Sequence, residues 1–277
     1  MAGILFNLVY LFGSRFYSQA AKLVHPWNIP LPPVHHKVLE KELIDRFDEI
    51  LVIGDVHGCF DELRECLNTV HANTTTKILK IFVGDLINKG EKSKEVLNYV
   101  MNEGKNECFS IRGNHEEKVL REYGKHHEDK KYTQYYSWIK DITTEEIEFI
   151  SSLPYTIRLP TLNVIIVHAG LIPKLSLDQN QPFEMVNMRN VMIENGNMTA
   201  SRDHKVGESW ASKWTGPDHV YFGHDARRKF QRHQFATGLD TGCVYGGQLT
   251  SVFIKGPRKG NIITVKAKKV YEKPGDD

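Results

Sequence analysis

Acidic residues are missing from the first 39 positions; the first is Glu40. Cysteine is scarce: Cys59, Cys66, Cys108 and Cys243 are the only four in 277 residues, and no two form a C-x-x-C pair. That gives no support to a cysteine zinc site and no disulfide framework, and a chain this long needs none, so reduced, buried thiols are expected. Net charge is nearly absent, at +2, too little for wholesale binding of duplex nucleic acid. Any taste for anions must therefore come from a local site. Long apolar runs are also lacking. Gly3–Phe12, broken by Asn7, is too short to span a bilayer, so no membrane span is expected. There is no internal repeat and no low-complexity tract. What remains is ordinary for a globular protein: 40% hydrophobic and 25% charged residues, in a length that suits one large α/β domain.

The acid-free leader, with Ser14, Arg15, Ser18 and Lys22, reads as a mitochondrial transit peptide, and Arg15-Phe16-Tyr17-Ser18 resembles a processing site. A secretory or a cytoplasmic location is the competing expectation. Pro26, Pro30, Pro32 and Pro33 mark an extended linker. The expected division is therefore residues 1–39 as leader and linker, and 40–277 as one catalytic domain.

Within that domain Val38–Phe47 suggests a short helix. Ile50–Ile53 is a continuous aliphatic run of strand length, and Ile78–Val83 and Cys108–Ile111 read as a second and a third strand, separated by helical spacing over Asp61–His71 and Lys94–Met101. This alternation predicts parallel strands with right-handed crossovers. Gly124–Lys131 reads as a charged loop, followed by helical patterns near Tyr135–Lys140 and Glu145–Ser152. Later strands are expected at Tyr155–Leu159, Val164–Val167, His219–Phe222, Phe230–Ala236, Leu249–Ile254 and Ile262–Val265. The fold class expected is α/β, with two mixed sheets packed as a central sandwich flanked by helices.

Three successive strands end in Gly54-Asp55-Val56-His57-Gly58, Gly84-Asp85 and Gly113-Asn114-His115-Glu116. Asp55 and Asp85 are 30 residues apart, and Asp85 and Asn114 are 29 apart. A βαβ unit takes about 30 residues, so these groups should arrive side by side at the carboxyl ends of neighbouring strands. His168 and His224 close two further strands. Carboxylate, amide and imidazole together suit borderline divalent metals, and Asp85, central in the order, can bridge two of them. Taken singly, each group is more simply a turn, a helix cap or a core histidine. Five such accidents in this order are not.

This ordered set resembles the calcineurin-like phosphoprotein phosphatase superfamily of dinuclear metallophosphoesterases, over Ile50 to about Thr250. The resemblance implies two divalent ions, manganese foremost, with iron, zinc, cobalt or magnesium admitted. Asp55, His57 and Asp85 would hold one, and Asp85, Asn114, His168 and His224 the other. A hydroxide between them would attack phosphorus in line, His115 would protonate the leaving group, and Arg112 would grip the phosphate. The stretch Gly238–Thr250 is similar to the bacterial diadenosine tetraphosphatases and their ApaH-like relatives.

The second motif departs from the protein phosphatases, where Gly-Asp-x-Val-Asp-Arg-Gly becomes Gly84-Asp85-Leu86-Ile87-Asn88-Lys89-Gly90. Asn88 replaces an aspartate that supports the catalytic histidine, and Lys89 replaces a phosphate-binding arginine. An amide stabilises imidazolium less than a carboxylate does, so His115 should be a weaker base, less often charged and ready to protonate a leaving group. A phosphate leaving group tolerates that; a serine alkoxide does not. The departure points to a phosphoanhydride substrate: a dinucleoside polyphosphate, inorganic polyphosphate or an RNA cap. A protein Ser/Thr phosphatase is the runner-up, and an inactive binding or scaffold protein is the reading from another class. Arg189, Arg227 and Arg228 are candidates for distal phosphate contacts, with solvated basic surface as the plainer reading. Tyr245, Trp210 and Trp214 are candidates for stacking on a base, with core packing as the plainer one.

Overall fold

The computed structural model of the chain describes residues 25–72, 75–102, 107–128 and 131–275. The expected leader lies outside the described residues. In chain order the elements are β1 (His36–Val38), α1 (Lys41–Ile44), β2 (Glu49–Ile53), α2 (Phe60–His71), β3 (Ile78–Phe82), α3 (Ser93–Asn102) and β4 (Cys108–Ser110). Then come α4 (Asn114–His126), a 3-10 turn (Gln134–Asp141), α5 (Thr144–Ser152), β5 (Thr156–Leu159), β6 (Val164–Val167) and α6 (Pro182–Met185). The last are β7 (Asn190–Glu194), β8 (Asn197–Ser201), β9 (Glu208–Ser209), α7 (Trp210–Lys213), β10 (His219–Phe222), β11 (Gln231–Arg232), β12 (Ala236–Gly238), β13 (Gln248–Lys255) and β14 (Ile262–Lys266).

Strand periodicity assigns the layers. In β2, Leu51 and Ile53 join the apolar side chains of α2, α3 and α4, while Ile50 and Val52 turn to the opposite face. There they meet Ile157 and Leu159 of β5 and Val164 and Ile166 of β6. Ile165 and Val167 point outward again, onto Met185, Met188 and Trp210. Two sheets thus stack face to face, one ordered β14-β13-β2-β3-β4 and the other β1-β5-β6-β10-β12-β11. Both are mixed. β2, β3 and β4 run parallel as expected, and β13 returns antiparallel beside β2.

Several sequence expectations shift. The helix expected over Val38–Phe47 shrinks to Lys41–Ile44, because residues 36–38 pair in parallel with β5 and the Leu39 amide bonds to the Arg158 carbonyl at 2.9 Å. The expected linker is extended but not a free spacer: Ile29 is buried in the core, and β1 is part of the larger sheet. Helix α4 runs to His126, into the expected charged loop. Phe230–Ala236 is two short strands, not one, because the chain turns back where the His233 amide bonds to the Ala236 carbonyl at 2.8 Å. The small β8-β7-β9 sheet was not expected. Its signal was present in Asn195-Gly196, whose φ values of 52° and 82° make a tight hairpin turn.

Candidate active site

The motifs meet at the carboxyl ends of β2, β3, β4, β6 and β10, in a cleft of about 720 Å³. The backbone there is unusual. His57, Asp85, Asn88, Lys89 and His224 all hold positive φ, between 46° and 70°. A non-glycine residue is held in that region only where its surroundings enforce it, and such strain concentrates at functional sites. Two glycines make the close approach possible. A Cβ on Gly223 would lie 1.9 Å from Asp55 Oδ1, and one on Gly113 would lie 2.3 Å from Asp85 Oδ1.

Each imidazole is aimed by a backbone carbonyl. His57 Nδ1 donates to the Ile87 oxygen at 3.1 Å, His168 Nδ1 to the Val83 oxygen at 2.8 Å, and His224 Nε2 to the Asn187 oxygen at 3.2 Å. The other nitrogen of each ring then points inward. His57 Nε2 lies 3.4 Å from Asp85 Oδ2, and His168 Nε2 lies 3.4 Å from Asp85 Oδ1. Acceptor faces acceptor, which is stable only with a proton or a cation between them. Lys89 Nζ, 3.3 Å from His57 Nε2, supplies part of that charge. Asn114 Oδ1 sits 3.0 Å from His168 Nε2 and 3.2 Å from His224 Nδ1. Asp55 accepts the His224 amide through Oδ2 at 3.0 Å, while its buried Oδ1 has no partner. Donor atoms of His57, Asp85 and His115 form one close group, and those of Asp85, His168 and His224 a second. Asp85 is common to both.

The ionisation pattern agrees. Burial, then the charge of Asp240, pushes Asp55 well above the usual carboxylate range. Burial lifts Asp240 to about 6. Burial opposes the charge on Asp85 too, but His168, His115 and His57 outweigh it and hold its carboxyl well below the usual range. Burial and the Lys89 ammonium depress His57 to about 3, and burial, with Lys89 and His57 beside it, keeps His115 neutral. Burial opposes the charge on His168, but Asp85 prevails and raises it to about 10, so a proton stands where a cation would. Crowded carboxylates with an orphaned oxygen fit divalent cations.

The expected residues Asp55, His57, Asp85, Asn114, His168 and His224 are therefore brought together, with His115, Asn88 and Lys89 beside them. Lys89 lines the cleft and donates to the Tyr245 hydroxyl at 2.7 Å, so Tyr245 belongs to the site. Arg189 and Arg227 also line it. Arg228 does not; it is spent on Asp225 at 2.6 Å and Asn190 at 2.8 Å. Trp210 is a core residue whose indole N–H donates to the Ala169 carbonyl.

The phosphate grip expected of Arg112 is wrong. Its side chain is buried on the far side of the motif, where Nη1 meets the Pro30 carbonyl at 2.9 Å and the Tyr155 hydroxyl at 3.3 Å, and Nη2 meets the Ser151 carbonyl. It ties the Pro-rich segment and α5 to the motif strand. Arg112→Gln is accordingly expected to cost about 3 kcal/mol of stability in a denaturant titration, because it strands buried carbonyls. The KM of the folded variant should stay within about twofold. A large rise in KM with stability intact would restore the phosphate role.

Residues not foreseen include Asp240, Lys118, Tyr135, Trp138 and Glu116. Asp240 follows β12 as Asp55 follows β2, so the same strand-end rule would have found it. Lys118 lies one helical turn after His115, a spacing that puts both on one face. Glu116 accepts the amides of Asp85, Leu86 and Gly113 at 2.7–2.9 Å and so fastens the second motif to the third. Tyr135 and Trp138 come from the 3-10 turn, where the helical spacing gave no sign of a role at the site.

Residues 49–248 match the family model described as calcineurin-like phosphoesterase. The chain belongs to the calcineurin-like phosphoesterase family. It is a metal-dependent phosphoesterase, of a family that uses a dinuclear divalent metal site. Among family relatives, it is 28% identical to the asymmetrical bis(5'-nucleosyl)-tetraphosphatase PrpE of Oceanobacillus iheyensis, over 73% of this chain and 87% of that one. It is 25% identical to the zinc-dependent endopolyphosphatase of Saccharomyces cerevisiae, over 81% of each. A crystal structure assigned as a diadenosine tetraphosphatase superposes with a TM-score of 0.72 at 33% identity, covering 84% of this chain and 98% of that one. A yeast protein serine/threonine phosphatase shares the fold alone, with a TM-score of 0.56 at 16% identity over 88% of this chain and 86% of that one.

Proposed function

We propose that this phosphoesterase hydrolyses phosphoanhydride bonds in a substrate carrying several phosphates in a row, a dinucleoside polyphosphate or inorganic polyphosphate first, an RNA cap next. The observation that carries this reading is the amide at position 88. Asn88 Nδ2 sits 3.4 Å from His115 Nδ1, where a carboxylate would hold the imidazolium form. A bridging phosphate oxygen departs with the electron pair of the broken P–O bond as a stable anion, so it needs less help from an acid. The cleft wall adds a track for such a chain: Lys89, Lys118, Arg189, Arg227, Lys229 and Lys273 against the carboxylates Asp85, Asp240 and Glu272. The relatives named for tetraphosphates and for polyphosphate support the same class.

Asp55, His57 and Asp85 would hold one divalent ion, and Asp85, Asn114, His168 and His224 the second, with manganese the first ion to try. When bound, such a pair supplies Lewis acidity on the phosphoryl oxygens and lowers the pKa of a water. The chain's own residues do the rest. Lys89, placed by Tyr245, meets the phosphoryl oxygens as a point charge, and His115 faces the departing oxygen.

The test is a comparison of kcat/KM for diadenosine tetraphosphate, polyphosphate and capped RNA with that for a phosphoserine peptide, using manganese-loaded protein. Anhydrides are expected to lead by about tenfold or more, because acid catalysis, worth about 100-fold or more on an ester, is weakened and not removed. A faster phosphopeptide reaction would sink the reading and leave a protein phosphatase.

A further inference from the structure

We propose that Cys59, Glu62 and Cys243 form a third metal site, which takes a zinc ion as a structural staple between the start of α2 and the turn that carries Tyr245. Its ligands are none of those grouped around Asp85, and it stands whichever phosphorylated substrate the enzyme prefers.

The two thiols are 184 residues apart in the chain, which is why spacing gave no hint of them. The fold brings them together. Cys59 immediately precedes α2, Glu62 lies in the first turn of that helix, and Cys243 opens a short 3-10 turn, Cys243–Tyr245. Both sulfurs and a carboxylate oxygen of Glu62 lie within 4.8 Å of one another, and all three side chains are buried. Around zinc, sulfur sits at about 2.3 Å and carboxylate oxygen at about 2.1 Å, which puts tetrahedral neighbours roughly 3.5–3.8 Å apart. The donors therefore need to close in by about an ångström at most.

The carboxylate is what packing alone does not explain. Two buried thiols are ordinary apolar filling. A buried carboxylate is costly unless its oxygens find partners. Glu62 Oε1 has two, the Lys268 amide at 2.8 Å and the Tyr271 hydroxyl at 2.7 Å. Its Oε2 is buried and has none. No lysine or arginine side chain pairs with Glu62 among the described residues, so an oxygen beside two sulfurs is left for a cation. The His57 carbonyl oxygen, 3.8 Å from Cys59 Sγ, offers a fourth donor.

Sulfur decides the kind of ion. Thiolates select zinc, whereas manganese and magnesium seek oxygen. Zinc takes both thiols as thiolates, so two protons are released to solvent as it binds. With all three ligands buried, the ion is met as the chain folds, and the Lys268 amide and the Tyr271 hydroxyl then lay the C-terminal segment over Glu62. The staple fixes the turn from which Tyr245 receives the Lys89 ammonium, so it supports the cleft without touching substrate.

The experiment grows the full chain in cobalt-supplemented medium, so that the ion is present during folding. Cobalt replaces zinc and reports sulfur ligands through a thiolate-to-cobalt charge-transfer band in the near ultraviolet, which carboxylate, amide and imidazole ligands do not give. Wild type should show the band and bind three cobalt ions per chain. Cys66→Ser and Cys108→Ser should keep both properties, and Cys59→Ser combined with Cys243→Ser should lose the band and one ion. No band in wild type, or a band that survives in the double variant, would overturn the proposal. The second measurement changes nothing at the site, so it decides even if the double variant fails to fold. 113Cd–1H correlation spectra of cadmium-loaded wild type should link one cadmium to the β-protons of Cys59 and Cys243, told apart from the other two cysteines by C66S and C108S. Cadmium linked to any other pair, to one cysteine or to none sinks the site. One ion fewer with the band intact would instead count against the pair at Asp85 and leave this site standing.

Discussion

Asp85→Asn should lower kcat/KM by roughly a thousandfold, the upper scale for removing one charge-stabilising group from a reacting centre. Asp85 is the one side chain whose oxygens serve both donor groups. Its Oδ1 accepts the His115 amide at 2.9 Å and faces His168, while Oδ2 faces His57. Three imidazoles outweigh burial to keep it ionised. Asparagine preserves the shape but removes the charge, and one of its two ends would point N–H groups at an imidazole lone pair. Bound metal should fall in parallel, read by elemental analysis after gel filtration, with the far-UV circular dichroism unchanged. Activity within tenfold of wild type, or full metal content, would mean that Asp85 bridges nothing.

The sheet order and the site were legible to different degrees, for physical reasons. β2 is buried on both faces, so its aliphatic run is unbroken and ends sharply at Gly54, and β3 is interrupted only by Lys80 before Gly84. The chemistry then follows at strand ends, where a 30-residue βαβ repeat sets the spacing. Asp55, Asp85 and Asn114 could be placed from that rule alone. Arg112 could not, because adjacency in sequence does not give direction. It sits two residues before Asn114, yet its guanidinium crosses to Pro30 and Ser151. Arg227 and Arg228 make the same point as neighbours with opposite fates. Trp138 and Tyr135 reach the site from a 3-10 turn whose helical spacing was legible but whose packing against α4 was not. Such contacts belong to tertiary structure and leave no local trace.

Stripping the metals should destabilise the protein, and by more at pH 8 than at pH 5. In the metal-free protein Asp240 titrates at about 6 against an ordinary 3.8, burial being the main cause, and Asp55 is raised as well. A carboxyl raised by folding contributes stability that is complete below its unfolded value and is lost as pH climbs through its folded value. That loss therefore falls between about pH 4 and 6. His168 follows the same sign higher up. Burial works against its charge, but Asp85 prevails and lifts it to about 10, so its contribution holds below 6.5 and drains away on the alkaline side. Divalent ions act in the opposite sense. They need these carboxylates ionised and these imidazoles neutral, so their binding strengthens as pH rises. At a hundredfold excess over Kd each ion adds about 2.7 kcal/mol. Calorimetry of chelator-treated and manganese-loaded protein at pH 5, 7 and 8 should show the gap in Tm widening with pH. Carboxylates elsewhere titrate in both forms and cancel in the difference. A gap that stays constant would mean that the ions bind somewhere other than this cluster of ionisable ligands.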